Sequence, residues 1–137
     1  MESAMQAALA PVSKGALWTG RIMSILVILF LLMDSVMKLM KVAAVMEAMP
    51  KLGWPASLAV PLGIILLMGT ILYAVPRTAV LGAIVLTGYL GGAVATHTRI
   101  GDPLFSHILF PVYLGTIMWG GLYLRDLRVR ALIPFTS

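Results

Sequence analysis

Residues 78–98 read TAVLGAIVLTGYLGGAVATHT, an uncharged stretch closed at its two ends by Arg77 and Arg99. At a rise of about 1.5 Å per residue, such a stretch crosses roughly 30 Å of hydrocarbon as a single helix. A bilayer offers no water to unpaired backbone groups, so a helix is the default conformation there. The alternation of a membrane-spanning strand is missing. Two neighbouring stretches have the same character. Residues 52–76, LGWPASLAVPLGIILLMGTILYAVP, lie between Lys51 and Arg77, and residues 103–124, PLFSHILFPVYLGTIMWGGLYL, lie between Asp102 and Arg125.

The N-terminal span is built differently. Ile22–Met33 is uncharged but too short to cross, and it runs into Asp34, Lys38 and Lys41 before an apolar stretch resumes to Met49. This helix must therefore carry Asp34 into the membrane. With Pro50, Gly53 and Pro55 as stop signals, four transmembrane helices are expected at about 20–48, 55–75, 78–97 and 105–124. The expected fold is all-α: an integral membrane four-helix bundle forming one membrane domain over residues 1–137. Residues 1–18 lack a basic start and a continuous apolar core, so they do not read as a signal peptide. They are expected to lie in the membrane interface, with Trp18 as an anchor.

Composition agrees. Hydrophobic residues make up 61% of the chain and charged residues 11%, with a mean hydropathy of +1.02. Soluble domains carry roughly 25% charged residues, and a chain this small exposes a large share of its surface. Lipid is the solvent that suits it. The absence of cysteine excludes disulfides, thiolate metal sites, Cys-ligated iron–sulfur clusters and the haem-attachment motif. No flavin motif, HExxH, Walker loop or GxSxG occurs either. The net charge of +5 is scattered between apolar stretches rather than gathered among stacking aromatics, so nucleic acid is not an expected partner. With four spans both termini share a side. Lys14, Arg21, Arg77, Arg125, Arg128 and Arg130 fall on it, against Lys38, Lys41, Lys51 and Arg99 opposite. The positive-inside rule then places the termini in the cytoplasm and the chain in the cell membrane as a multi-pass protein. Trp18, Tyr73 and Tyr123 are expected at the inner interface and Trp54 at the outer one.

An ionisable residue inside a membrane is a functional-site hypothesis by default, since its insertion costs roughly 2.5–3.5 kcal/mol. Asp34, Lys38 and Lys41 share a helix face. Either Lys38 simply neutralises Asp34 and reaches outward, or the pair belongs to a site. Tyr89, Ala93 and His97 fall at i, i+4 and i+8, which sets the tyrosine below the histidine on one face. Arg99 and Asp102 follow in the loop, and His107 begins the fourth helix at the same level. Topology alone therefore gathers Asp34, Lys38, Tyr89, His97, Arg99 and His107 in the outer half of the bundle, as candidate ligand-binding residues. Arg99 would keep Asp34 or Asp102 ionised, and a histidine beside them would exchange protons near neutral pH. No metal site is expected: the Met33, Met37 and Met40 stripe reads as helix packing rather than a copper site. Gly88 and Gly92 form a GxxxG that reads as close helix contact within the chain, with Gly115, Gly120 and Gly121 able to do the same on the fourth helix.

The runs GGAVATHTR (Gly91–Arg99) and LYLRDLR (Leu122–Arg128), with LGWP after the first helix, resemble the DoxX-like family of small four-helix membrane proteins. The resemblance extends from about Ile22 to Pro134, and the Asp34…Lys38 pair fits the family's polar, lysine-containing end to that helix. It implies kinship with membrane subunits of thiosulfate–quinone oxidoreductases, with proteins needed for amine dehydrogenase maturation, and with membrane assembly chaperones. His97 and Arg99 would be the family's polar centre here. Cysteines used for redox roles in related groups are missing, which removes thiol chemistry. The function expected is a polar pocket that binds a quinone or similar small lipophilic molecule, in a membrane subunit of an oxidoreductase, with a protein partner or a second copy alongside. The alternatives are a non-catalytic assembly or scaffold subunit, whose buried charges fix helix register, and a proton-coupled carrier. The carrier is disfavoured by four helices without an inverted repeat.

Overall fold

A computed structural model describes residues 13–132 of the chain. Every regular element among them is helical. Helix α1 spans Lys14–Leu39, α2 Ala43–Lys51, α3 Ala59–Ala74, α4 Ala79–Arg99, α5 Phe110–Arg125 and α6 Leu127–Leu132. Single 3-10 turns (Ala56–Leu58 and Pro76–Thr78) lead into α3 and α4, and a π turn (Leu104–Ile108) leads into α5. With those turns, four helices are long and apolar enough to cross a membrane: Lys14–Leu39, Ala56–Ala74, Pro76–Arg99 and Leu104–Arg125. Among the described residues the fold is all-α, with four membrane-spanning helices.

The first span departs from expectation at both ends. It starts at Lys14, where the Ser13 hydroxyl accepts the Ala16 amide (3.2 Å) as an N-cap. The interfacial segment expected over residues 1–18 thus lies mostly outside the described residues, and its described part is helix. The span stops at Leu39 instead of continuing to residue 48, because Lys41 turns into the left-handed region (φ 53°). Its amide bonds to the Lys38 carbonyl and the Val42 amide to the Met37 carbonyl, both at 3.2 Å. This is a Schellman ending, with lysine where glycine usually sits. A separate helix, α2, then carries Met49 back toward the bundle.

The spans close a ring. α1 packs on α3 and α5, α3 packs on α4, and α4 packs on α5, so α1 and α4 face each other across it. Val27, Leu31, Leu66, Tyr73, Leu86, Met118 and Leu122 form the buried centre. Large apolar side chains cover the outside, among them Ile22, Leu26, Leu29, Ile65, Met68, Leu81 and Ile84, each about half exposed. That surface is a solvent contact only in lipid. At the end that carries the termini the helices meet through glycine. A Cβ on Gly20 would lie 2.7 Å from the Gly121 carbonyl oxygen, and one on Gly82 would run into the backbone of Tyr73. Tyr73, expected at the interface, is fully buried there. Arg125 Nε donates to Ser24 Oγ (2.9 Å), Ser24 in turn to the Tyr73 hydroxyl (2.9 Å), and Tyr73 to the Met118 carbonyl (2.7 Å).

The opposite end is looser. Gly88 and Gly92, expected in helix contact, and Gly91 beside them have no atom within 4 Å of where a Cβ would stand. Of the glycines expected on the fourth span, Gly121 makes the close approach, Gly120 meets only the end of the Met23 side chain, and Gly115 is merely in ordinary contact with Leu90. Close approach of α4 to its neighbours is therefore concentrated at the termini end, and the other end is left open inside, although α3 still meets α1 there, with Gly63 against Lys38 and Leu39.

Candidate functional site

Three helix stops shape the open end. α1 ends as described above. α2 ends at Gly53 (φ 80°), whose amide bonds to Pro50, while the Trp54 amide bonds to Met49, both at 3.0 Å. α4 ends at Gly101 (φ 73°), with the Gly101 amide on Thr98 and the Asp102 amide on His97, both at 3.1 Å. All three are Schellman endings, which bring the second residue past the cap against the helix's last turn. In α2 this folds Trp54 over Met49. In α4 it folds Asp102 over His97, and the carboxylate Oδ2 comes to 2.5 Å from His97 Nδ1. The expected proximity of these groups thus acquires a cause: glycine four residues after the histidine, and aspartate directly after the glycine.

Beneath these stops lies a cleft of about 540 Å³ between α1, α4 and the start of α5. Phe30, Leu31, Met33, Met37, Leu62, Leu90, Phe110 and Leu114 give it apolar walls, with Phe30 and Phe110 in tilted contact at 5.4 Å. Gly88 and Gly92 line it too, and their missing side chains are part of its volume. Polar groups converge at the loop end: Asp34 and Lys38 from α1, and Tyr89, Thr96 and His97 from α4. Lys38 is bonded to Asp34, and the Tyr89 hydroxyl stands close enough to interact with both. Trp54 closes the roof, its Nε1 donating to Thr96 Oγ1 at 3.3 Å.

Four of the six predicted site residues, Asp34, Lys38, Tyr89 and His97, line this one cleft. The other two lie outside it. Arg99 pairs with neither expected carboxylate, since Lys38 occupies Asp34 and His97 occupies Asp102. Its guanidinium instead donates to the Leu52 carbonyl (2.8 Å), passing over Gly53, where any side chain would collide with it. Arg99 therefore pins the roof to the end of α4. His107 is exposed on the π turn, bonded to Ser106 (2.8 Å), and sets its ring edge-on to His97 with centroids 5.8 Å apart. Sequence reasoning missed Trp54, Met49 and Thr96 as site residues. The Gly53–Trp54 pair after α2 was the available signal.

The charged side chains that line the cleft, Lys38 and Asp34, compensate each other. With Nδ1 held by Asp102, His97 has Nε2 left to offer a ligand, in the carboxylate–imidazole arrangement that orients a histidine for hydrogen bonding or proton exchange. The sequence model of the DoxX-like family matches residues 22–121. No curated protein and no solved structure matches the chain.

Proposed function

The chain belongs to the DoxX-like family of membrane proteins, and from that premise we propose that its cleft binds a quinone or a similar small lipophilic ring, as the membrane partner of an oxidoreductase. One observation carries this reading: an apolar cleft of about 540 Å³ has its hydrogen-bonding groups gathered at a single end. Small-molecule sites have this form, with apolar walls for area and a few convergent polar groups for orientation. The balance of charge favours a neutral ligand, since an added ion would be left uncompensated in a low-dielectric space. A quinone carbonyl accepts hydrogen bonds, and the matching donors are Lys38 Nζ and the Tyr89 hydroxyl. The corresponding quinol hydroxyl donates, and Asp34 can accept, as can His97 Nε2, opposite the Nδ1–H held by Asp102. Both forms are neutral, so the same site suits both.

The charge distribution supports a cytoplasmic location for the termini, as the positive-inside rule states. The cleft then lies in the outer half of a single membrane domain. The reading is tested with protein purified in mild detergent beside a Gly92→Leu variant. Position 92 lines the cleft and a Cβ there meets no atom within 4 Å, so a larger side chain is directed into the ligand's space rather than into packed helix. Mass spectrometry of solvent extracts is expected to find a stoichiometric quinone-class molecule in the wild type and none in the variant. A tailless benzoquinone should quench Trp54 fluorescence saturably in the emptied wild type only. Ordinary membrane lipid in both extracts, with no saturable quenching, defeats the reading.

A further inference from the structure

On the outside of the bundle, α4 and α5 leave a second hollow of about 430 Å³. Gly91 and Gly115 line it, and their missing side chains keep it open: a Cβ on Gly91 would meet nothing within 4 Å, and one on Gly115 only Leu90 at 3.7 Å. Val94, Val112 and Trp119 add further apolar surface. The polar side chains in it are already used. Trp119 Nε1 donates to Thr87 Oγ1 (2.8 Å), Thr87 donates to the Ala83 carbonyl (2.6 Å), and Thr116 donates to the Val112 carbonyl (2.8 Å). A ligand here finds hydrocarbon and no free hydrogen-bond donor among the side chains.

This groove borders the cleft. Leu90 and Pro111 line both, so the two spaces lie on opposite sides of one wall. Their depths are also offset. Apart from Tyr89, the cleft's polar groups stand near the ends of their helices, at residues 34–38 and 96–97, whereas the groove extends to Thr87, at the middle of its span, and on α5 to Trp119. An amphiphile with its polar head near the membrane surface and its tail toward the midplane has this offset.

We propose that the cleft's ligand carries a long isoprenoid or alkyl tail, and that this tail leaves between α4 and α5, past Leu90 and Pro111, to lie in the groove. The proposal rests on the ring-binding reading above and adds the class of ligand: a tailed ring rather than a free one. Gly91 and Gly115 become the residues that admit the tail, and Trp119, held by Thr87, bounds the groove toward the termini.

The test uses full-length protein in phosphatidylcholine nanodiscs with a benzoquinone whose decyl tail ends in a diazirine. After photolysis, peptide mass spectrometry is expected to place the adducts on the α4 and α5 residues of the groove. Excess tailless quinone should displace them. Gly91→Leu, which adds a side chain in open space, should abolish the groove adducts and leave Trp54 quenching by the tailless quinone unchanged. Adducts displaced by tailless quinone but spread over the lipid-facing surface would overturn the tail proposal and spare the ring site. Adducts that the tailless quinone cannot displace at all would remove the ring site, and this proposal with it.

Discussion

Tyr73 is a residue whose position along the chain misleads. It stands near the end of a span, where tyrosine commonly anchors at the headgroups, yet it is buried and its hydroxyl links Ser24, Met118 and, through Ser24, Arg125. Whether a span-end tyrosine faces lipid or the bundle depends on helix rotation, which residue spacing in α3 alone leaves open. Tyr73→Phe leaves the Met118 carbonyl and the Ser24 hydroxyl short of a partner. It is expected to lower stability by about 1–2 kcal/mol, seen as a reduced apparent Tm in detergent, with ligand binding at the far end unchanged. Asp126 makes a second prediction, outside the spans. Burial pushes its carboxyl up, but hydrogen bonds from Arg128 and the charges of Arg128 and Arg125 prevail and hold it below the ordinary value of 3.8. A carboxylate depressed in the folded state adds stability that is fully present above 3.8 and is lost as pH falls through its lower folded value. Arg128 also donates to the Pro76 carbonyl (2.8 Å), so this corner ties α6 to the α3–α4 turn. Hydrogen exchange of Leu127–Leu132, corrected for intrinsic rate, should show protection at neutral pH that disappears in acid. In Asp126→Asn that acid-dependent loss should be missing.

At the scale of elements, the four spans were legible because charges punctuate them and the bilayer permits few alternatives. The roles of the glycines were not. Gly82 and Gly88 stand on the same helix, in similarly apolar surroundings, yet a Cβ on the first collides with the Tyr73 backbone while one on the second meets nothing. Gly82→Ala is therefore expected to push α3 and α4 apart and cost about 2 kcal/mol or more. Gly88→Ala should be neutral or stabilising by about 0.5–1 kcal/mol, the usual gain of replacing glycine within a helix. Thermal unfolding of the two variants side by side checks both. A GxxxG spacing says that two small residues share a face, and is silent on whether another helix or a cavity stands opposite. The early stop of α1 was hidden for a related reason. Lysine at a left-handed cap is uncommon, so Lys41 carried no stop signal, whereas Gly53 and Gly101 did.

For the whole molecule, the absence of cysteine makes topology directly measurable. Single cysteines at Lys51, the last residue of α2, and Arg77, in the turn before α4, fall at opposite ends of the bundle. With the termini in the cytoplasm, Lys51→Cys should react with an impermeant maleimide in intact cells and Arg77→Cys only after permeabilisation; the reverse pattern inverts the molecule. Class, span number and the sharing of one end by both termini follow from length, composition and charge spacing, because the bilayer imposes them on any chain with these properties. The depth of Asp34, Lys38, Tyr89 and His97 follows as well, since depth is a count along a helix axis. Which of these groups meet is a matter of helix rotation and of how the loops fold back, and only tertiary structure decides it. Packing brought Lys38 and Asp34 to the same cleft as Tyr89 and His97, left His107 outside, and sent Arg99 to the Leu52 carbonyl. The cleft exists for the same reason: Gly20, Gly82 and Gly121 meet a neighbouring helix whereas Gly88 and Gly92 have nothing opposite them, and empty space has no signature in sequence.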